Sequence, residues 1–335
     1  MSKSHKEILK NFNKIYKDKC SNYPAYPSIL PAVNRIIVIG DIHGDMKMLI
    51  KCLKLAKLID HNYNWIGNDT VVVQVGDQID SCRFNGTDAC NDPDTYTPEN
   101  DNPEDIDILY FMTDLHNKAS QYGGAIYSLM GNHEFMNVMG DFTYVSHNNI
   151  NHFNNYKTHD GTIINDGVQA RKYAFSPGNH LAHFLACTRK MALIIGSNLF
   201  VHAGVIPQMV KKYKIDDMNK ILILFLLDQL KNPNIFTDLF ISGKTSPLWT
   251  RLFGFKIDNC VEVIQPLKDI YNVNKIYVGH TPQIKSGINS QCNNSVWMTD
   301  VGMSKAFDLL SGSSSHRNAQ VLEILNDGEI FNILQ

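Results

Sequence analysis

Three segments of the chain share one design. RIIVI (35–39), TVVVQV (70–75) and AIYSLM (125–130) are almost wholly apolar, and each runs straight into a glycine and then polar residues: GDIHGD, GDQID and GNHE. A strand that is apolar on both alternating faces must be buried on both, as in parallel sheets covered by helices. The intervening sequence fits. MKMLIKCLKLAKLI (46–59) has apolar residues at helical spacing, and DIDILYFMTDLHNKA, from Asp105, predicts a second helix. Strand, loop and helix repeated three times restrict the fold to an α/β core. In such cores functional groups gather beyond the carboxyl ends of the strands.

The second half is less regular. LAHFLACTRKMALIIG (181–196) predicts a helix feeding a strand, and HNNINHFNNYKTHDG (147–161) reads as a polar loop. NLFVHAG (198–204) and KIYVGHTP (275–282) are short strands ending in His-Ala-Gly and Gly-His. QVLEILNDGEIFNIL (320–334) predicts a β-hairpin turned at Asp-Gly. The start, MSKSHKEILKNFNKIYKDKC, predicts a short amphipathic helix rather than a signal peptide. NGTDACNDPDTYTPENDNPED is too polar to bury a core and reads as a surface excursion. The expected organisation is a helical extension over 1–30, then a single catalytic domain over 31–335 with a polar insertion at about 85–105.

The formal net charge of −2 argues against a nucleic-acid-binding protein, which usually carries a basic excess. No apolar run approaches the roughly 18 residues of a membrane span. ILILFLL (221–227) is far shorter and reads as a buried helix. The seven cysteines are scattered, odd in number and without a C-x-x-C pair, so a reduced, cytoplasmic protein is expected. Cys82 and Cys90 flank a loop that a bridge can close.

The strand ends carry Asp41 and His43, Asp77 and Asp80, Asn132 and His133, His202, and His280. Each alone has an ordinary explanation as a turn aspartate or a hydrogen-bonded histidine. Five such clusters, each following an apolar strand, point to one pocket. Asp-x-His places Asp41 and His43 on one side of an extended strand end. Carboxylates, imidazoles and one amide oxygen suit Mn, Fe or Zn, and the absence of cysteine argues against a structural zinc site. Two ions need a shared carboxylate, for which Asp77 is the candidate, and a water between them ionises near neutral pH.

GDIHGD, GDQID, GNHE, VHAG and GHT, in that order, resemble the five signature blocks of the calcineurin-like metallophosphoesterase superfamily. The resemblance implies an α/β fold of two mixed β-sheets sandwiched by helices (α/β/β/α). It implies that Asp41 and His43 bind a first metal, that Asp77 bridges, and that Asn132, His202 and His280 bind a second. It implies that His133 protonates the leaving oxygen and that Asp80 orients it. Pro282 stands where many nucleases of the superfamily have a second histidine, so GHTP resembles the phosphoprotein phosphatase branch and its dinucleoside-tetraphosphatase relatives. That branch usually reads Gly-Asp-x-x-Asp-Arg-Gly. Here Ser81 and Cys82 replace Arg-Gly, and Arg83 comes two positions later. GNHEFMNVMGDFTYV (131–145) resembles the extended signature of the bacterial-type Shewanella-like protein phosphatases.

Arg83 and Arg251, the latter in SPLWTRLFG, are the candidate phosphate clamps. The alternative for Arg251 is a surface arginine beside Trp249. Arg171 and Arg189 read as ordinary surface charges. Asp300 reads either as a partner of a ligand histidine or as a turn aspartate before Gly302, and Glu134 reads as structural. The expected activity is metal-dependent hydrolysis of phosphomonoesters, on phosphoproteins or small phosphoesters, by direct attack of a hydroxide bridging two divalent ions, Mn with Fe or Zn as alternatives. The other readings are hydrolysis of dinucleoside polyphosphates or nucleotides, and a non-catalytic scaffold. No nucleic-acid or membrane partner is expected.

Overall fold

The computed structural model describes residues 9–25, 27–83, 90, 101–231, 236–308 and 317–335. Most of the polar stretch expected at about 85–105 lies outside these residues, as does the start of the expected extension.

The predicted buried strands form one six-stranded sheet in the order Ile330–Leu334, Val321–Leu325, Arg35–Ile39, Val71–Gln74, Ala125–Leu129, Arg189–Lys190. From Arg35–Ile39 to Arg189–Lys190 the neighbours are parallel. The carboxyl-terminal hairpin adds two antiparallel strands, and its turn places Asn326, Asp327 and Gly328 at φ 52°, 54° and 90°. Asn, Asp and Gly are the residues that tolerate this left-handed conformation best. Between the parallel strands run the helices Met46–Leu55 and Asp105–Ser120. They bury Leu49, Cys52 and Leu53, and Ile108, Met112 and Leu115, against the same core as the strands.

A second six-stranded mixed sheet has the order Ile29–Leu30, Ala192–Ile195, Asn198–Val201, Lys275–Val278, Val296–Met298, Asn289–Gln291. Its strands alternate between two cores. Leu193, Ile195, Phe200 and Tyr277 pack with the first sheet, while Ala192, Ile194, Leu199, Val201, Ile276 and Val278 pack with the helix Ile215–Leu226. This period-two division places two sheets face to face between helical layers.

Two expectations are corrected. The segment read as a polar loop over 147–161 begins with a helix, His147–Asn151, capped by the Ser146 side chain on Asn149 N, and continues into a strand, Tyr156–Lys157, paired with Ile163–Ile164. Buried Ile150 and Phe153 anchor this segment despite its polar composition. The cysteines are not scattered thiols, because the fold pairs Cys20–Cys187, Cys82–Cys90 and Cys260–Cys292. Cys52 remains a free, buried thiol, which burial pushes up to about 12. The first bridge ties the predicted amino-terminal helix, Phe12–Lys19, to the helix His180–Thr188, and Tyr16 Oη donates to Cys187 O at 3.0 Å. No helix among the described residues is long and apolar enough to cross a membrane.

Candidate active site

The carboxyl ends of strands from both sheets meet in one cleft of about 160 Å³. Arg35–Ile39 leads to Asp41 and His43, Val71–Gln74 to Asp77 and Asp80, and Ala125–Leu129 to Asn132 and His133. From the second sheet, Asn198–Val201 leads to His202 and Lys275–Val278 to His280. Glycines permit the close approach. A Cβ on Gly279 would lie 2.1 Å from Asp41 Oδ1, and one on Gly131 would lie 2.1 Å from Asp77 Oδ1.

Asp41 and His43 do not converge along an extended strand, as the sequence suggested. His43 turns in at φ 45°, and Asp77, Asp80 and His280 also hold positive φ, at 53°, 73° and 65°. Each such residue costs on the order of 1–2 kcal/mol. The surroundings enforce these conformations. Asp77 O accepts from Ile42 N and His43 N at 2.9 and 3.0 Å. The buried Glu134 carboxylate accepts from Gly131 N (2.7 Å), Asp77 N (3.0 Å) and Gln78 N (2.6 Å), tying the GNHE block to the GDQID block. Burial and the nearby Asp77 charge push Glu134 up to about 7.

Backbone carbonyls direct the imidazoles. His43 Nδ1 lies 3.2 Å from Ile79 O, His202 Nδ1 2.9 Å from Val75 O, and His280 Nε2 3.1 Å from Trp249 O. An N–H spent on a carbonyl leaves the other ring nitrogen as a lone-pair donor. His202 Nε2 is thereby aimed at Asp77 Oδ2 (3.3 Å) and Asn132 Oδ1 (2.9 Å). His43 Nε2 lies 3.8 Å from both Asp41 Oδ2 and Asp77 Oδ2. Burial, Arg83 and His133 hold His43 well below the usual imidazole range, and burial, His202 and Arg251 do the same for His280. Burial also disfavours the charges on Asp77 and His202, but their mutual attraction wins, lowering Asp77 well below the carboxylate range and raising His202.

Asp77 belongs to two groups whose ligand atoms lie within 4.8 Å of one another: His43, Asp77 and His133, and Asp77, His202 and His280. Asp41 Oδ2 accepts from His280 N at 3.0 Å, while its buried Oδ1 has no partner. Burial, Asp300 and Asp77 hold Asp41 well above the usual carboxylate range. A shared carboxylate, the low-pKa imidazoles of His43 and His280, and an orphaned buried carboxyl oxygen fit a pair of divalent cations.

His133 Nδ1 pairs with Asp80 Oδ2 at 2.8 Å, which turns Nε2 toward the cleft, 3.9 Å from Asp77 Oδ2. Asn137 Nδ2 donates to Asp80 Oδ1 at 2.8 Å, and Arg171 Nη2 stands 3.6 Å from that oxygen. Arg171 also donates to Asn137 Oδ1 (2.7 Å) and Asp105 Oδ2 (2.8 Å). It is 0% exposed, which corrects its reading as a surface charge. Arg189 is corrected likewise, being buried and donating to Gln78 Oε1 (2.9 Å), Thr113 Oγ1 (2.7 Å) and Leu109 O (2.9 Å).

Residues 34–283 match the calcineurin-like phosphoesterase family. The chain belongs to that family. It is therefore a hydrolase acting on phosphoesters. Its relatives include an uncharacterised protein of Acanthamoeba polyphaga mimivirus, 36% identical over 246 residues and spanning 65% of this chain and 96% of that one. Shewanella-like protein phosphatase 2 of Arabidopsis thaliana is 28% identical over 304 residues, spanning 81% of this chain and 72% of its own. The fold resembles a cold-active protein-tyrosine phosphatase of a psychrophilic Shewanella, with a TM-score of 0.66, 22% identity, and coverage of 92% of this chain and 83% of that one.

In this calcineurin-like phosphoesterase both candidate clamp arginines line the cleft. Arg83 lies between the rings of Tyr144 (5.1 Å) and Phe307 (4.8 Å), with Nη2 2.8 Å from His43 Nε2. Arg251 is exposed at the rim and donates through Nη1 to His280 O at 3.1 Å. Asp300 takes the turn role through Oδ1, which accepts from Gly302 N at 2.8 Å, yet it also lines the cleft. The sequence reading missed Asn137, Asp105, Tyr144 and Phe307. Asn137 and Tyr144 fall inside the quoted 131–145 signature, but nothing local marks what they touch.

Proposed function

We propose that this chain is a two-metal phosphomonoesterase acting on phosphoproteins, with Asp41, His43, Asp77, Asn132, His202 and His280 as the metal ligands. The observation that carries this reading is Asp77 Oδ2, which lies 3.8 Å from His43 Nε2 and 3.3 Å from His202 Nε2, beside a buried Asp80–His133 pair at 2.8 Å. When bound, two divalent ions supply Lewis acidity and a hydroxide nucleophile near neutral pH. Mn is the proposed metal, with Fe or Zn as alternatives.

His133, held through Nδ1 by Asp80, carries a proton on Nε2 to the leaving oxygen. Arg83 and Arg251 grip the non-reacting phosphoryl oxygens. His43 Nε2 cannot serve both a cation and Arg83, so Arg83 must turn outward toward the phosphoryl group when the site is loaded. Tyr144, Trp249 and Phe307 line the cleft, each within ring-contact distance of a site histidine, and this aromatic wall supports an aryl phosphate such as phosphotyrosine. The Shewanella protein's name, a protein-tyrosine phosphatase, supports the same substrate class, and the Arabidopsis name supports a phosphoprotein substrate. Residues 31–335 are taken as the catalytic domain. Three disulfides favour an oxidising compartment over the cytoplasm expected from cysteine spacing.

Chelation abolishes activity and Mn restores it, on this reading, and phosphotyrosyl peptides turn over faster than phosphoseryl peptides or diadenosine tetraphosphate. His133→Asn slows hydrolysis of an alkyl phosphate by roughly 10²–10⁴-fold. It slows p-nitrophenyl phosphate far less, because that leaving group needs little protonation. Equal losses on the two esters count against His133 as the acid, and activity that survives thorough chelation sinks the two-metal reading.

A further inference from the structure

Five strand ends carry the proposed metal ligands and acid. A sixth, Val296–Met298, runs parallel to Lys275–Val278 and delivers Asp300 to the same cleft. The contact with the first sheet is close. A Cβ on Gly40 would lie 2.2 Å from Thr299 O and 3.1 Å from Asp300 Cα, so Asp300 packs directly against the strand end that presents Asp41.

Among the described residues, two buried side-chain polar atoms have no hydrogen-bond partner: Asp41 Oδ1 and Asp300 Oδ2. Asp41 and Asp300 are 2% and 1% exposed. A buried anionic oxygen without a donor is costly, and a second carboxylate beside it raises the cost. The turn at Gly302 employs Oδ1 and leaves Oδ2 without a purpose. A divalent cation held by both carboxylates would give each orphaned oxygen a partner.

We propose that Asp300 supplies a carboxylate oxygen, through Oδ2, to the divalent cation held by Asp41 and His43. This rests on the two-metal reading of the site. The resulting position has three carboxylates, Asp41, Asp77 and Asp300, to one imidazole. Such a set suits a hard ion such as Mn better than Zn.

The test uses the full chain and Asp300→Asn, both stripped by chelation and titrated calorimetrically with Mn. Asparagine keeps Oδ1 as the acceptor for Gly302 N and removes the charge at Oδ2. The wild type takes up two ions per chain, and the variant binds one of them at least about tenfold more weakly. Without metal the variant melts no lower than the wild type, because a buried unpaired charge has gone, and Mn raises its Tm less. Two ions bound with wild-type affinity overturn the assignment, as does a metal-free variant that melts below the wild type, which marks a purely structural turn. Uptake of fewer than two ions by the wild type overturns the two-metal reading itself, and Asp300's role with it.

Discussion

Arg171 is the buried cation behind the Asp80–His133 pair. It is 0% exposed, lies within 6 Å of the rings of Phe142, Phe153 and Phe175, and serves two carboxylates, Asp105 at 2.8 Å and Asp80 at 3.6 Å. Arg171→Met keeps most of the volume and removes the charge. Both carboxylates then stay buried without their cation, a situation that costs about 3–5 kcal/mol. With a urea m-value near 3 kcal/mol per molar, the unfolding midpoint falls by at least about 1 M. The double variant Arg171→Met/Asp105→Asn separates charge from packing. The introduced asparagine still accepts from Asp80 N through Oδ1, a bond that Asp105 makes at 3.0 Å in the native protein, while one of the two stranded charges is gone. The double variant is expected to be more stable than Arg171→Met by at least about 1 kcal/mol. Because Asp80 loses a restraint, turnover of alkyl phosphates should fall more than turnover of aryl phosphates. A loss below about 1 kcal/mol in the single variant, or simple additivity in the double, refutes the reasoning.

Arg83→Ala should raise KM for an aryl phosphate by roughly 10–100-fold, more than Arg251→Ala, because Arg83 is held between two rings and Arg251 is exposed; initial-rate kinetics on the two variants decide the order. Lys190 is buried, and burial pulls its ammonium from 10.5 down to about 8. Between those values the unfolded chain holds the proton that the folded chain has lost, so the charge penalty grows as pH falls through the window and is complete below about 8. Lys190→Met should therefore be more stable than the wild type at pH 7, and the difference should shrink by about 1.4 kcal/mol per unit from pH 8 to 10 in urea titrations. Cys20–Cys187 spans 167 residues, so Cys20→Ser/Cys187→Ser should lose about 2–5 kcal/mol in the same assay.

The metal-capable side chains were legible because the signal is local. A short apolar strand, a glycine and a polar pair lie within one stretch of sequence, and the topology then gathers the strand ends. Arg171 and Arg189 were illegible because their burial depends on partners 66 and 111 residues away, Asp105 and Gln78. The bridges Cys20–Cys187 and Cys260–Cys292 span 167 and 32 residues and leave no spacing pattern to read. Asp300 followed a strand like the others, but TDVG reads as a turn, and half of its side chain does serve one.

The arrangement departs from what stability alone would favour. Four site residues hold left-handed backbone, Asp41 and Asp300 each bury an oxygen without a donor, and Arg83 sits against a histidine rather than a carboxylate. Left-handed residues also occur away from the site, at Lys57, Asn155 and Asn272 among others. The two orphaned carboxyl oxygens among the described residues, however, both lie at the carboxyl ends of strands beside the cleft. Local strain and unpaired charge persist where the rest of the fold over-determines them, here through Glu134 and the backbone bonds to Asp77 O. A cation bound there offsets the unpaired carboxylates, and an incoming phosphoryl group gives Arg83 an anionic partner. On the proposed two-metal reading, the features that weaken the ligand-free fold are those that bound cations and a phosphoryl group would satisfy.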